Sequence, residues 1–153
     1  MRSRPLDKPT DPTIVVGLVP RFFLGAVFAI AAYGKVTAPR GFATAIGGFL
    51  MSQTGNAPGW YQGFLHNAVF PHIDTFAMLV VAGEIFVAGS LLLGLLTRVG
   101  AIVALYLLVN YMLAKGQVIW SPTSNDAADI MLAIVVAMTG PGRILGIDAY
   151  LAR

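Results

Sequence analysis

Residues Met78–Arg98 read MLVVAGEIFVAGSLLLGLLTR. Before Arg98 the run holds a single ionisable side chain, Glu84. A stretch this long and apolar reaches the ~20 residues needed to cross hydrocarbon as a helix. Its closing Thr97-Arg98 passes directly into another apolar run from Val99, so the two form a tight antiparallel pair of spans. A charged group at bilayer depth costs at least about 2.5–3.5 kcal/mol, and such groups generally pair or face a cavity. The partner of Glu84 is the question this stretch poses.

The whole chain shares this character. Hydrophobic residues make up 57% and charged residues 11% of its 153 residues, with a mean hydropathy of +0.76. Soluble proteins carry about 25% charged residues, so too little polar surface is present to coat a water-soluble globule. There is no cysteine, which excludes disulfides, thiolate nucleophiles and thiolate-ligated metals. Any redox role must use a bound cofactor or a partner. The net charge of +3 is small and dispersed; it argues against nucleic acid and fits a membrane lipid as partner.

The composition predicts an all-α integral membrane four-helix bundle, a single domain over residues 1–153. Residues 1–13 form a tail, the spans cover about 14–33, 76–97, 99–116 and 126–141, and 34–75 form a long outer loop. The first two spans meet the length rule, while the third and fourth need their polar flanks to complete a crossing. Within the long loop, GFATAIGGFLM (Gly41–Met51) suits a helix lying along the membrane interface, and Trp60, Tyr61, Phe64 and Phe70 suit the same depth. Pro122 and Ser124-Asn125-Asp126 read as the start of span four. Lys and Arg near the span ends set orientation. Arg2, Arg4, Lys8, Arg98, Arg143 and Arg153 outnumber Lys35, Arg40 and Lys115 on the other side. Both termini are thus expected in the cytoplasm, as in a multi-pass protein of the cell inner membrane. A cleaved leader over the first apolar run is disfavoured by Arg21 within it.

Arg21 and Glu84 are the obvious intramembrane partners. At 1.5 Å per residue Arg21 lies roughly 10–12 Å from one membrane edge and Glu84 roughly 12 Å from the other. The ~6 Å left in a ~30 Å core is within reach of an arginine. Pro20 removes a helix hydrogen bond and frees the Val16 carbonyl, which the Arg21 guanidinium could also meet. The pair either locks two helices together or lines a ligand or proton site. Asn110, Tyr111, Lys115 and Asp129 gather in the outer half of the bundle. They read either as interhelical links, with Lys115–Asp129 an interface ion pair, or as a polar pocket opening outward. His66 and His72 have no recognised metal-ligand spacing, and no metal is expected. Gly25-x3-Ala29 and Ala133-x3-Ala137 permit close helix approach.

Three pieces together resemble the DoxX family of small membrane proteins. RFFLGAVFAIAAYGK carries Arg21, Gly25, Gly34 and Lys35; GEIFVAGSLLLGLLTRVGA carries Glu84, Gly94 and Arg98; and MTGPGRILGID is similar to a Gly-rich exit ending in Asp. The resemblance implies four spans with both termini inside, and Arg21, Lys35 and Glu84 as family-pattern polar positions. One branch of the family looks like a membrane subunit of a thiosulfate:quinone oxidoreductase. The helix layout also resembles the quinone-handling bundle of vitamin K epoxide reductases, but the missing cysteines bar that thiol chemistry here.

These readings lead to a redox-associated subunit that binds a quinone or similar amphipathic ligand in the outer half. Glu84 relays a proton, Arg21 sets its pKa, Asn110 or Tyr111 bonds a carbonyl oxygen, and Lys35 guards the outer mouth. Other membrane or redox subunits are the expected partners. The alternative is a non-catalytic accessory or assembly subunit. A transporter finds little support without an inverted repeat.

Overall fold

The computed structural model describes residues 12–38, 41–118 and 126–151, and among these every regular element is helical. In chain order they are α1 (Pro12–Val16), α2 (Leu18–Val36), α3 (Phe42–Gln53), α4 (Gly59–Phe64), α5 (Ile73–Leu93), α6 (Thr97–Ala114), α7 (Asp126–Thr139) and α8 (Ile147–Leu151). Three helical runs are long and apolar enough to cross a membrane: Leu18–Val36, Gly59–Leu93 and Thr97–Ala114. At 14 residues α7 extends only about 21 Å, short of a hydrocarbon core. The expected start signal at Pro122–Asn125, and Arg40 and the charged tail, lie outside the described residues.

The first span starts later than its apolar run suggests. Pro20 has no N–H for the Val16 carbonyl, and the chain breaks between α1 and α2 at Gly17. Gly17 itself is required there, since a Cβ would sit 2.1 Å from Thr139 Oγ1. The second helical run starts earlier than expected. α4 continues through a π-turn at Leu65–Val69 and a 3-10 turn at Phe70–His72 into α5. Pro71 cannot donate to a carbonyl one turn back, and the irregular turns around it absorb that missing bond. The hairpin between spans two and three turns at Gly94–Leu96 rather than at Thr97-Arg98, with Gly94 and Leu96 both left-handed.

α2 packs on α5 and α7, and α6 packs on α5 and α7. Their shared interior holds Leu24 and Phe28 of α2, Val87 and Leu91 of α5, with Ala104 of α6 and Val136 of α7. Small residues bring the helices together. Gly25 lets α2 approach Leu91 and Leu92, and Gly100 lets α6 approach Ser90. In an apolar solvent such close approach, rather than exclusion from water, drives helix association. The outward surface keeps large apolar side chains exposed, among them Val19, Ile30, Met78, Ile102, Tyr106 and Met138. The long loop is largely helical, with α3 spanning most of the GFATAIGGFLM segment. A second core of Leu50, Tyr61, Leu65 and Val69 packs α3 and α4 against Ala114 of α6.

A Cβ at Gly100 would lie 2.2 Å from Ser90 Oγ, whereas one at Gly48 meets nothing within 4 Å. Gly100→Val should therefore lower unfolding stability in detergent by about 1–3 kcal/mol. Gly48→Ala should not lower it, as thermal melts of the two variants would show.

Candidate functional site

Two polar centres sit at opposite ends of the helices, and neither is the Arg21–Glu84 pair expected from the sequence. Arg21 lies in the first turn of α2 and is 1% exposed. Its Nε donates to Leu91 O at 2.6 Å and its Nη2 to Leu92 O at 3.2 Å. Nη1 donates to Leu145 O and, at 3.4 Å, to Pro141 O. The last carbonyls of a helix have no partner within it and carry partial negative charge. A guanidinium with five donors at the end of α5 meets both needs. The height estimate failed because α2 begins at Leu18, which puts Arg21 level with the last turn of α5. Glu84, seven residues before Leu91, lies about 10 Å away along the helix axis.

Glu84 instead takes Lys35, from the last turn of α2, at 2.7 Å between Nζ and Oε1. The Tyr111 hydroxyl of α6 donates to the same oxygen at 2.8 Å. Glu84 is 1% exposed and Lys35 21%. Oε2 has no hydrogen-bond partner among the described residues. Lys35 Nζ also lies 5.4 Å from the centre of the Phe42 ring, close enough for a cation–π contact. Lys35 is therefore the counter-ion of Glu84 and not merely a residue at the mouth.

Of the other predicted outer-half residues, Asn110, Tyr111 and Lys115 line two cavities, and Asp129 lines neither. One, of about 500 Å³, is lined by Lys35, Phe42, Phe49, Leu50, Tyr111 and Lys115. The second, of about 180 Å³, lies among Tyr61, Phe64, Phe76, Tyr106 and Asn110, and also touches Tyr111. Asn110 faces away from Glu84 because adjacent helix residues point about 100° apart. Its Nδ2 donates to Tyr106 O at 2.7 Å, and its Oδ1 accepts from the Tyr61 hydroxyl at 3.1 Å. Lys115 pairs with Asp126, not with Asp129. Lys115 caps the end of α6 and Asp126 opens α7, so their side chains meet where the two helices come together; Asp129 sits almost a full turn further on. His66 stacks at a tilt on Phe70 with ring centres 5.3 Å apart. Among the described residues no group of three or more His, Asp and Glu converges.

Sequence reasoning assigned no role to Asp148. Its Oδ1 accepts from Leu96 N at 2.8 Å, and its Oδ2 from Thr97 N at 3.0 Å and Thr97 Oγ1 at 2.9 Å. These bonds cap α6 and hold Leu96 in its left-handed conformation. Burial pushes the Asp148 carboxyl upward, but its bonds to Thr97 and Leu96 and the charge of Arg21 outweigh burial and hold it below the usual range. A visible cue was the missing Ser, Asp or Asn cap before Thr97, which required a carboxylate from elsewhere.

The fold is a membrane-type helical one, with a Lys–Glu pair, half-buried at Lys35, between its first two long helices. The chain belongs to the DoxX family, whose model matches residues 16–116. No curated protein and no solved structure matches it.

A double-mutant cycle separates the expected pair from the observed one. Coupling between Lys35→Gln and Glu84→Gln should reach about 1–3 kcal/mol, while Arg21→Gln and Glu84→Gln should be additive within about 0.5 kcal/mol. Acid titration of stability tests the cap. Because the folded pKa of Asp148 is depressed, its stabilisation is complete above the unfolded value of about 3.9 and fades as pH falls through the lower folded value. Asp148→Asn should lose about 1–2 kcal/mol at neutral pH. It should also show a shallower fall in melting temperature than wild type below about pH 4.

Proposed function

We propose that this DoxX protein is a four-span subunit of the cell inner membrane that binds a quinone or a similarly amphipathic molecule beside Lys35. The observation that carries the reading is the cavity of about 500 Å³, within the size range of small-molecule sites. Its Phe42, Phe49 and Leu50 walls suit an apolar ring, and its Lys35 and Tyr111 walls are the two groups that hold Glu84. Lys35 and Lys115 are both paired with carboxylates, so the cavity favours a neutral ligand over an anionic one.

A quinone bound there would supply two-electron, two-proton chemistry, with electrons from a partner redox subunit. Lys35 has ammonium donors beyond the one given to Glu84, and one of them can hold a carbonyl oxygen. Glu84 fixes the position of Lys35 through Oε1, and its Oε2 has no hydrogen-bond partner among the described residues. Lys35 thus takes the place beside Glu84 first given to Arg21, and Asn110 lines the neighbouring cavity rather than this one. The termini are placed in the cytoplasm on the charge count. Arg98 and Arg143 share one groove at the Arg21 end, and Lys35 and Lys115 share the cavity at the other.

A non-catalytic accessory subunit is the second reading, favoured by the near-complete burial of Glu84. Titrating a short-chain benzoquinone into the purified protein separates the two. A ligand site predicts that Lys35→Gln weakens binding about ten- to hundredfold, the worth of a charged hydrogen bond. It also predicts that Phe49→Trp blocks binding while leaving the melting temperature near wild type. No binding to wild type, or binding that neither variant alters, favours the accessory role.

A further inference from the structure

At the Arg21 end, a groove of about 320 Å³ is lined by Leu96, Thr97, Arg98, Gly140, Arg143 and Asp148. We propose that this groove binds the phosphate of an anionic phospholipid headgroup, with Arg98 and Arg143 as its cationic walls. The site is separate from the Lys35 cavity and does not depend on what that cavity holds.

The two arginines differ from the other described cations. Lys35 and Lys115 each hold a carboxylate, and Arg21 is buried on carbonyls. Among the described residues neither Arg98 nor Arg143 forms an ion pair, although both line the same groove. Asp148, the groove's acidic member, has both oxygens committed to Leu96 and Thr97 and lies within the field of Arg21. Its charge is taken up by the fold, which leaves the guanidinium pair to face outward.

Arg98 is also held in place. Its Nη2 donates to Met138 O at 3.5 Å. Its guanidinium lies over Gly140, where a Cβ would come within 2.8 Å of Nε and where φ is +56°. Only glycine fits both the backbone angle and that space.

The surroundings indicate a lipid rather than free phosphate. Leu96, Val99 and Leu151 line the groove and are exposed. They set apolar side chains beside the two arginines in the same groove. A phosphate with acyl chains attached would meet both surfaces at once, whereas inorganic phosphate would meet only the arginines. Basic groups near a membrane surface are drawn to anionic lipid.

The test uses the full chain in nanodiscs of phosphatidylcholine with a minor fraction of phosphatidylglycerol, and native mass spectrometry to count retained lipid. Wild type should retain phosphatidylglycerol over phosphatidylcholine and melt at a higher temperature when it is present. Arg98→Gln with Arg143→Gln should cut that retention by roughly tenfold or more. Arg98→Lys with Arg143→Lys should retain most of it, which keeps the test valid if the glutamine variant folds poorly. Equal retention by wild type and the glutamine variant would overturn the proposal. So would displacement of the lipid by millimolar inorganic phosphate, which would mark a site for the free anion.

Discussion

A helix end buried in protein has no water to satisfy its last carbonyls, and the last turn of α5 is such an end. Arg21 meets it by donating to Leu91 and Leu92 while also reaching Pro141 and Leu145. One side chain from the start of α2 thereby ties the end of α5 to the chain segment after α7. Gly94 stands beside it because a Cβ there would press on the guanidinium and on Gly146. The charge of Arg21 is met by carbonyl dipoles with Asp148 nearby, and that leaves Glu84 free to pair elsewhere.

The same end is closed a second time by Asp148, which supplies α6 with the cap its own sequence lacks. Arg21 and Asp148 thus treat the two faces of one hairpin. A cation sits on the carbonyl end of α5 and an anion on the amide end of α6, each complementing the local helix dipole. The segment after α7 contributes to both contacts, through Pro141, Leu145 and Asp148. The Gly-rich exit is therefore part of how the transmembrane hairpin is held, and not a trailing peptide.

At the opposite end the polar chemistry is of another kind. Glu84 is closed in by Lys35 and Tyr111 on one oxygen and has no partner for the other among the described residues. A purely structural ion pair gains from satisfying both oxygens, because a buried acceptor without a donor costs free energy. The unmet oxygen, and a cavity that reaches the two donors, are what give the Lys35–Glu84 pair its functional interest.

The apolar runs determined by themselves that this is a helical membrane-type protein, because no water-soluble fold can bury so much apolar surface with so few charges. Arg21, Glu84 and Lys35 stood out for the same reason, since the cost of a charge in hydrocarbon is visible in any sequence. The family was legible from the order of those residues and their glycines. Which charge met which was not. Pairing depends on relative height, and the break that Pro20 makes at Gly17 moved Arg21 to the end of its span. Asn110 and Tyr111 are neighbours in sequence, but only Tyr111 reaches Glu84, because a helix turns about 100° per residue. Asp148 lies 52 positions from the amide of Leu96 that it holds, a separation that no local pattern encodes. Only the packed helices could bring those groups within hydrogen-bond range.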